Sequence, residues 1–174
     1  MLKPAINYKD QLEKLKSIIF DNEDKYKYYI NNDYINYKIQ TIEDSDWSCI
    51  QQVSVNEKNE VQGYFSANID PPFRITNLGF TNFYLDSKKL QMSFIRDMLA
   101  FIDYLFTYRK FEKIEWCVII GNPAERLYDK FRNEYKGRVV GIFTKSKRLI
   151  DGNIYDVKWY ELMREDYESS KGIK

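Results

Sequence analysis

Histidine is absent from this 174-residue chain. Its absence removes Ser-His-Asp and Cys-His nucleophilic catalysis, which need an imidazole to carry the proton, and every zinc site that depends on imidazole ligands. Cysteine is scarce as well. Only Cys49 and Cys117 occur, so a four-cysteine zinc site is also excluded. Each lies in apolar, strand-like sequence far from the other, and the expectation is reduced core thiols of a cytosolic protein. An excess of one charge is missing too. Lys and Arg number 27 against 26 Asp and Glu, a formal net charge of +1, whereas a protein that grips a nucleic-acid backbone shows a basic excess. Lys145, Lys147 and Arg148 make a compact basic group, but one at a hairpin end, where solvated charges are ordinary. No apolar run approaches the roughly 20 residues that span a bilayer, and Met1–Asp10 lacks the apolar core of a signal peptide. The expectation is a cytoplasmic protein with no metal, no nucleic-acid partner and no membrane partner.

What is present describes an ordinary folded domain. The chain is 44% hydrophobic and 30% charged, a balance that suits a single core. Aromatics are abundant, with 15 Tyr and 11 Phe, so no single tyrosine is informative by its presence alone. Leu12, Leu15, Ile18 and Ile19 predict an amphipathic helix over 8–20. The polar, tyrosine-rich stretch 21–47 predicts a short helix and a loop. Strands are predicted over 48–55 and 61–69 with a polar turn at 56–60. Asp70-Pro71-Pro72 breaks the chain, and a further strand fits 75–85, interrupted near Gly79.

The stripe Phe94, Ile95, Met98, Leu99, Ile102, Leu105 and Phe106 predicts one long core helix over 88–108. A strand at 112–120, a helix at 123–133, a strand at 138–146, a turn at Asp151-Gly152-Asn153 and a strand at 154–163 complete the pattern. The strand–helix–strand run from 75 to 120 implies a parallel crossover, and the hairpins on either side are antiparallel. The expected fold class is therefore α/β (α+β), with a mixed, mostly antiparallel sheet of about six to seven strands. A single domain over 1–174 is expected, with N-terminal helices in 1–47, sheet and central helices in 48–164 and a polar tail in 165–174.

The stretch Gly121-Asn122-Pro123-Ala124-Glu125-Arg126-Leu127-Tyr128-Asp129-Lys130-Phe131 follows the apolar run Trp116-Cys117-Val118-Ile119-Ile120. Asn122 is a good N-cap because its side-chain oxygen can accept from a free first-turn N–H. Pro123 suits the first helical position, and Glu125 can reach back in the manner of a capping box. The pattern makes a strand-to-helix joint, and binding sites of α/β proteins commonly gather at such sheet edges.

This segment resembles the "N-x-x-A-x-x-L-Y-x-K-x-G-F" region of the GCN5-related N-acetyltransferase superfamily, whose members usually place the Ala one residue later. Gly141-Ile142-Phe143, Asp151-Gly152-Asn153-Ile154-Tyr155-Asp156 and Trp159-Tyr160-Glu161-Leu162-Met163 are similar to that family's closing strands. The resemblance covers roughly 48–164. It implies the family's acyl-CoA N-acyltransferase fold, with helices on both sheet faces, and transfer of an acetyl group from acetyl-CoA to a primary amine by direct attack in a ternary complex. The amine belongs to a small molecule or a protein, and a homodimer is among the open assembly states. The family's proton donor to the departing thiolate falls on Tyr128, about 40° from Ala124 around the helix and at the edge of the stripe Ala124, Leu127 and Phe131. A core tyrosine is the alternative.

The family's "Q/R-x-x-G-x-G/A" phosphate loop falls on Lys88, Lys89, Gln91, Met92 and Ser93, with Asn122 beside the cofactor and Phe83, Tyr84 and Leu85 offering backbone groups to pantetheine. Gln91 stands where the family has its first Gly, and it adds bulk where phosphate approaches the backbone. Lys88 and Lys89 sit in a first helical turn, which disfavours cations unless an anion is bound there. Thr81-Asn82-Phe83 carries no carboxylate, so Glu115 is the candidate general base, with a solvated strand-face glutamate or a water chain as alternatives. Asp70 and Asp86 suit amine binding or turn roles. The competing function is a catalytically degenerate binding or regulatory module of the same fold.

Overall fold

Leu12 and Leu15 are one helical turn apart, and both are buried together with Ala5 and Tyr8. They bring Lys9–Asp21 (α1), which follows a 3-10 turn at Ala5–Tyr8, onto Val53, Val55 and Val61. Those valines belong to two antiparallel strands, Cys49–Val55 (β2) and Val61–Asp70 (β3), with a bulge between Ser54 and Val55. Asn56 closes the hairpin by accepting the N–H groups of Lys58 and Glu60, each at 2.9 Å. An additional strand, Leu2–Pro4 (β1), pairs antiparallel with β2 through Lys3 opposite Val53. Three residues carry no periodicity, so sequence pattern could not announce it.

The computed structural model describes residues 1–21, 48–70, 75–82, 88–149 and 151–172. The helix and loop expected over 21–47 lie, apart from Asp21, outside the described residues. Ile75–Asn82 (β4) runs without interruption. The break expected at Gly79 is corrected: a Cβ there would meet Ser66 Oγ at 2.6 Å, so glycine makes room for a neighbouring strand. The last residues of the expected strand, 83–85, lie outside the described residues. Lys88–Asp103 (α2) buries Phe94, Met98, Phe101 and Ile102. The single helix expected over 88–108 is also corrected, because α2 passes into a π-helical turn at Tyr104–Tyr108. There the Thr107 hydroxyl donates to the Asp103 carbonyl at 2.5 Å, a back-bond of the kind that bends helices.

Lys113–Ile119 (β5) lies parallel to β4, with Ile75 opposite Lys113 and Asn77 opposite Glu115. It is followed by Ala124–Glu134 (α3), Arg138–Arg148 (β6), Ile154–Met163 (β7) and Arg164–Ser170 (α4). The hydrogen-bonded strand order is β1-β2-β3-β4-β5-β7-β6. Seven strands, a parallel β4–β5 step and antiparallel β1–β2, β2–β3, β5–β7 and β6–β7 pairs agree with the expected mixed α/β sheet. The polar tail expected over 165–174 is corrected as far as Ser170. Tyr167 is buried and stacks on Tyr135 at 5.0 Å, which holds α4 in place.

Contacts divide the chain into two compact units. One holds β1, α1, β2, β3 and α2; the other holds β5, α3, β6, β7 and α4; β4 contributes to both. In the second unit β6 is the last strand of the sheet and mostly exposed. Arg138, Lys145, Lys147 and Arg148 and two register irregularities along it are features that discourage edge pairing. Cys49 and Cys117 are both half-buried, and neither is in a disulfide. Among the described residues no helix is long and apolar enough to cross a membrane.

Candidate active site

At the end of β5 the chain must turn from strand into helix. Gly121 supplies a φ of 88°, in the region that favours glycine. Asn122 Oδ1 accepts the Ala124 N–H at 2.8 Å, and the Asn122 carbonyl accepts the Glu125 N–H at 2.9 Å. Pro123 already has helical angles, φ −52° and ψ −29°. Glu125 does reach back, but to the Gly121 N–H at 2.9 Å, one residue before the cap. The expected joint is therefore present, and four residues after Ala124 it delivers Tyr128. The Tyr128 ring is half-buried and lies edge-on to Tyr160 of β7, with centroids 6.3 Å apart and planes at 78°.

Tyr160 is fully buried. It stacks flat on its cross-strand partner Trp116 at 5.3 Å and 7°, and Phe131 of α3 meets that tryptophan edge-on at 5.4 Å. The Tyr160 hydroxyl donates to Asp129 at 3.0 Å. Lys158, two residues earlier on the same face of β7, donates to both Asp129 oxygens at 2.7 and 2.9 Å and to Glu125 at 3.2 Å. Its ammonium lies 5.3 Å from the Tyr160 ring centre. Burial pushes the Tyr160 phenol up, and the Asp129 carboxylate adds to this, to about 12. For Asp129, burial works upward, but hydrogen bonds from Lys158 and Tyr160 outweigh it and hold the carboxyl below its usual range. Lys158 is the mirror case: burial works downward, and Asp129 and Glu125 overcome it to raise the ammonium well above its usual range.

On the other face of β5, Glu115 stands directly opposite Glu161 of β7, a like-charge pair that would repel. Lys113 relieves it, with Nζ 2.5 Å from Glu115 and 3.4 Å from Glu161, and Arg138 also pairs with Glu161. The bond to Glu115 is the main reason the Lys113 ammonium is raised above its usual value. Glu115 is thus half-exposed and ion-paired.

In the first unit, α2 opens at Lys88, so its first-turn N–H groups lack helical partners. Lys88 and Lys89 contribute that backbone. Gln91 is half-buried, Met92 is exposed, and the Ser93 hydroxyl accepts from the Arg96 guanidinium at 3.1 Å. Phe83, Tyr84, Leu85 and Asp86 lie outside the described residues, and Asp70 is exposed at the end of β3. Farther along α2, the nearly buried Asp97 accepts from Ser54 at 2.6 Å, from the Met1 ammonium at 2.7 Å and from Arg96 at 3.1 Å. Burial pushes this carboxyl up, but the three donors prevail and leave it below its usual value.

No protein-family model and no curated protein matches the sequence. Solved structures do. A chimera of the spermidine N-acetyltransferase SpeG from Vibrio cholerae and hSSAT superposes with a TM-score of 0.73 at 19% identity, over 97% of this chain and 99% of the other. A GCN5-related N-acetyltransferase from Brucella melitensis gives 0.69 at 18% identity, over 98% and 78%. SpeG from Vibrio cholerae in complex with manganese ions gives 0.65 at 19%, over 90% and 91%. This chain has the GCN5-related N-acetyltransferase fold. Within that fold, Asn122 and Tyr128 sit on the joint after β5 and Glu115 on the face of β5 opposite Trp116, all in the second unit. Lys88, Lys89, Gln91, Met92 and Ser93 sit at the start of α2 in the first.

Sequence pattern did not single out Lys158, Asp129 or Tyr160. The available signal was Glu125 and Asp129 at i and i+4 on one helix, which makes a turn-long acidic stripe, and Lys158 and Tyr160 at i and i+2 on one strand face. Only the packing of α3 on β7 shows that the two sets meet.

The lowered carboxyls give a pH prediction. In the folded protein Asp97 and Asp129 are held below the usual carboxylate range, so each contributes stability that is present above that range and lost as pH falls through the folded value. Urea unfolding at a series of pH values is expected to show this contribution held at neutrality and disappearing below about pH 4. Asp97→Asn is expected to be less stable at neutral pH and to show a shallower acid limb. An acid limb identical to that of the parent would remove Asp97 from this account.

Proposed function

We propose that this chain is an acyl-CoA-dependent N-acetyltransferase acting on a primary amine in a ternary complex. The observation that carries the reading is the position of Tyr128, half-buried on the helix that follows β5, in a fold whose solved neighbours are N-acetyltransferases. In this reading the amine nitrogen attacks the thioester carbonyl carbon, a C–N bond forms and the C–S bond breaks. Tyr128 gives its phenolic proton to the departing sulfur. The amine's proton leaves through water; Glu115, held by Lys113 at 2.5 Å, would have to break that pair to accept it.

Acetyl-CoA is the co-substrate. The first-turn N–H groups of α2 at Lys88 and Lys89 fit an anionic pyrophosphate, with Gln91, Met92 and Ser93 beside them and Phe83, Tyr84 and Leu85 as the proposed pantetheine strand. Asn122 is proposed to lie near the cofactor. The protein is read as cytoplasmic and as one functional domain. A second reading, a degenerate module that has lost the cofactor, is favoured by one feature. No glycine occurs from Lys88 to Ser93, and the Ser93 hydroxyl is already engaged by Arg96.

A thermal-shift titration separates the two readings. Binding at a hundred times Kd adds about 2.7 kcal/mol, about 5–10 °C for a domain of this size. The catalytic reading expects that stabilisation with acetyl-CoA, followed by thiol release when an amine is added. Spermidine is the first amine to test, since several of the solved neighbours carry it in their names. No shift at about 1 mM acetyl-CoA, well above the range of ordinary substrate affinities, would favour the degenerate module.

A further inference from the structure

Tyr128 is placed by what it leans on. Its ring meets the edge of Tyr160, and Tyr160 is fixed on three sides. Trp116 covers one face at 5.3 Å, Asp129 accepts its hydroxyl at 3.0 Å, and the Lys158 ammonium stands 5.3 Å from its centre. Asp129 is the residue next to Tyr128, so the carboxylate that takes the Tyr160 hydroxyl moves with the backbone that carries Tyr128. Glu125 and Asp129 lie one helical turn apart, and without a cation between them they would repel. Lys158 joins both, from a strand 29 residues beyond Asp129 in sequence. Its side chain is 16% exposed and those of Glu125 and Asp129 are 22% and 34% exposed, so the clamp is partly open to water.

We propose that Lys158, together with Asp129, is a positioning residue for Tyr128. It ties the first half of α3 to β7 and holds still the Tyr160 ring against which Tyr128 packs. This inference rests on the reading of Tyr128 as proton donor and adds to it the device that sets the donor's place. Partly exposed ion pairs of this sort contribute little to stability, whereas a misplacement of about 1 Å costs up to about a hundredfold in rate. The clamp is therefore expected to matter far more for turnover than for folding.

The test compares Lys158→Met, Lys158→Arg, Asp129→Asn and Tyr128→Phe in the full chain, with acetyl-CoA and spermidine as substrates. Lys158→Met is expected to lower kcat about tenfold or more with KM for acetyl-CoA little changed, and Lys158→Arg to recover most of the loss. In the Tyr128→Phe background Lys158→Met should add almost nothing, because both changes remove one function. A full second loss in that background, or wild-type kcat in Lys158→Met, overturns the inference. Unchanged turnover in Tyr128→Phe instead overturns the proton-donor reading.

A second readout does not need activity. In protein labelled with 13C-tyrosine, the Tyr128 signal is assigned by its disappearance in Tyr128→Phe. Lys158→Met and Asp129→Asn are expected to shift or broaden it, and Lys158→Arg to leave it near its original position. An unmoved Tyr128 signal in both folded variants overturns the positioning role even if spermidine is not a substrate.

Discussion

Tyr128→Phe is expected to lower turnover about a hundredfold while acetyl-CoA binding changes less than about twofold. The substitution removes one oxygen and leaves the ring, so the edge contact with Tyr160 at 6.3 Å survives and the fold should tolerate it. What disappears is the proton offered to the leaving sulfur. Positioned general acids contribute about 10²–10⁴-fold. A thiolate belongs at the low end of that range, because a thiol with a pKa near 8.5 leaves acceptably without protonation. A loss confined to kcat marks a group that acts in the transition state rather than in ground-state binding. An equal fall in kcat/KM for acetyl-CoA through KM alone would instead make Tyr128 a binding residue. Full turnover would remove it from the chemistry.

The elements that sequence pattern revealed are those whose signals are local. Leu12 and Leu15 recur at helical spacing and pack on three valines, so α1 was legible. Asn122, Pro123 and Glu125 form a capping pattern that needs no knowledge of the rest of the chain, and the joint after β5 is where it predicts. The failures have non-local causes. Gly79 reads as a breaker in one dimension, but its smallness answers to Ser66 on another strand. Residues 165–170 read as part of a polar tail because the buried anchor of their helix, Tyr167, packs on Tyr135 far upstream. The π-helical turn at Tyr104–Tyr108 continues the apolar stripe of α2 and is invisible to periodicity.

The candidate site divides in the same way. Tyr128 and Asn122 were legible from a motif and its capping chemistry. The Lys158 clamp was not, because its donors and acceptors are 29 and 33 residues apart and meet only where α3 packs on β7. Glu115 shows the converse. As a lone strand carboxylate it suggests a base, and the structure adds the Lys113 partner and the facing Glu161 that a linear reading cannot supply.

Phe65→Ala is expected to be the most damaging single change to stability, about 3–5 kcal/mol in urea unfolding. Phe65 is wholly buried on β3 at the centre of an aromatic group. It stacks on Phe94 at 5.0 Å and packs against Phe101 at 5.7 Å, both from α2, and Phe80 of β4 meets it edge-on at 5.9 Å. Truncation removes the transfer free energy of a benzyl side chain and leaves a cavity. That cavity is walled by three rings that are themselves anchored to a helix and a strand, so collapse into it is limited. Against a total of about 5–15 kcal/mol for a typical domain, the loss approaches half of the stability and lowers Tm on the order of 10 °C. Phe65→Leu keeps most of the apolar volume and should cost much less. A loss under about 1 kcal/mol for Phe65→Ala would mean that the rings close over the gap, and that α2 is seated on β3 less rigidly than this packing requires.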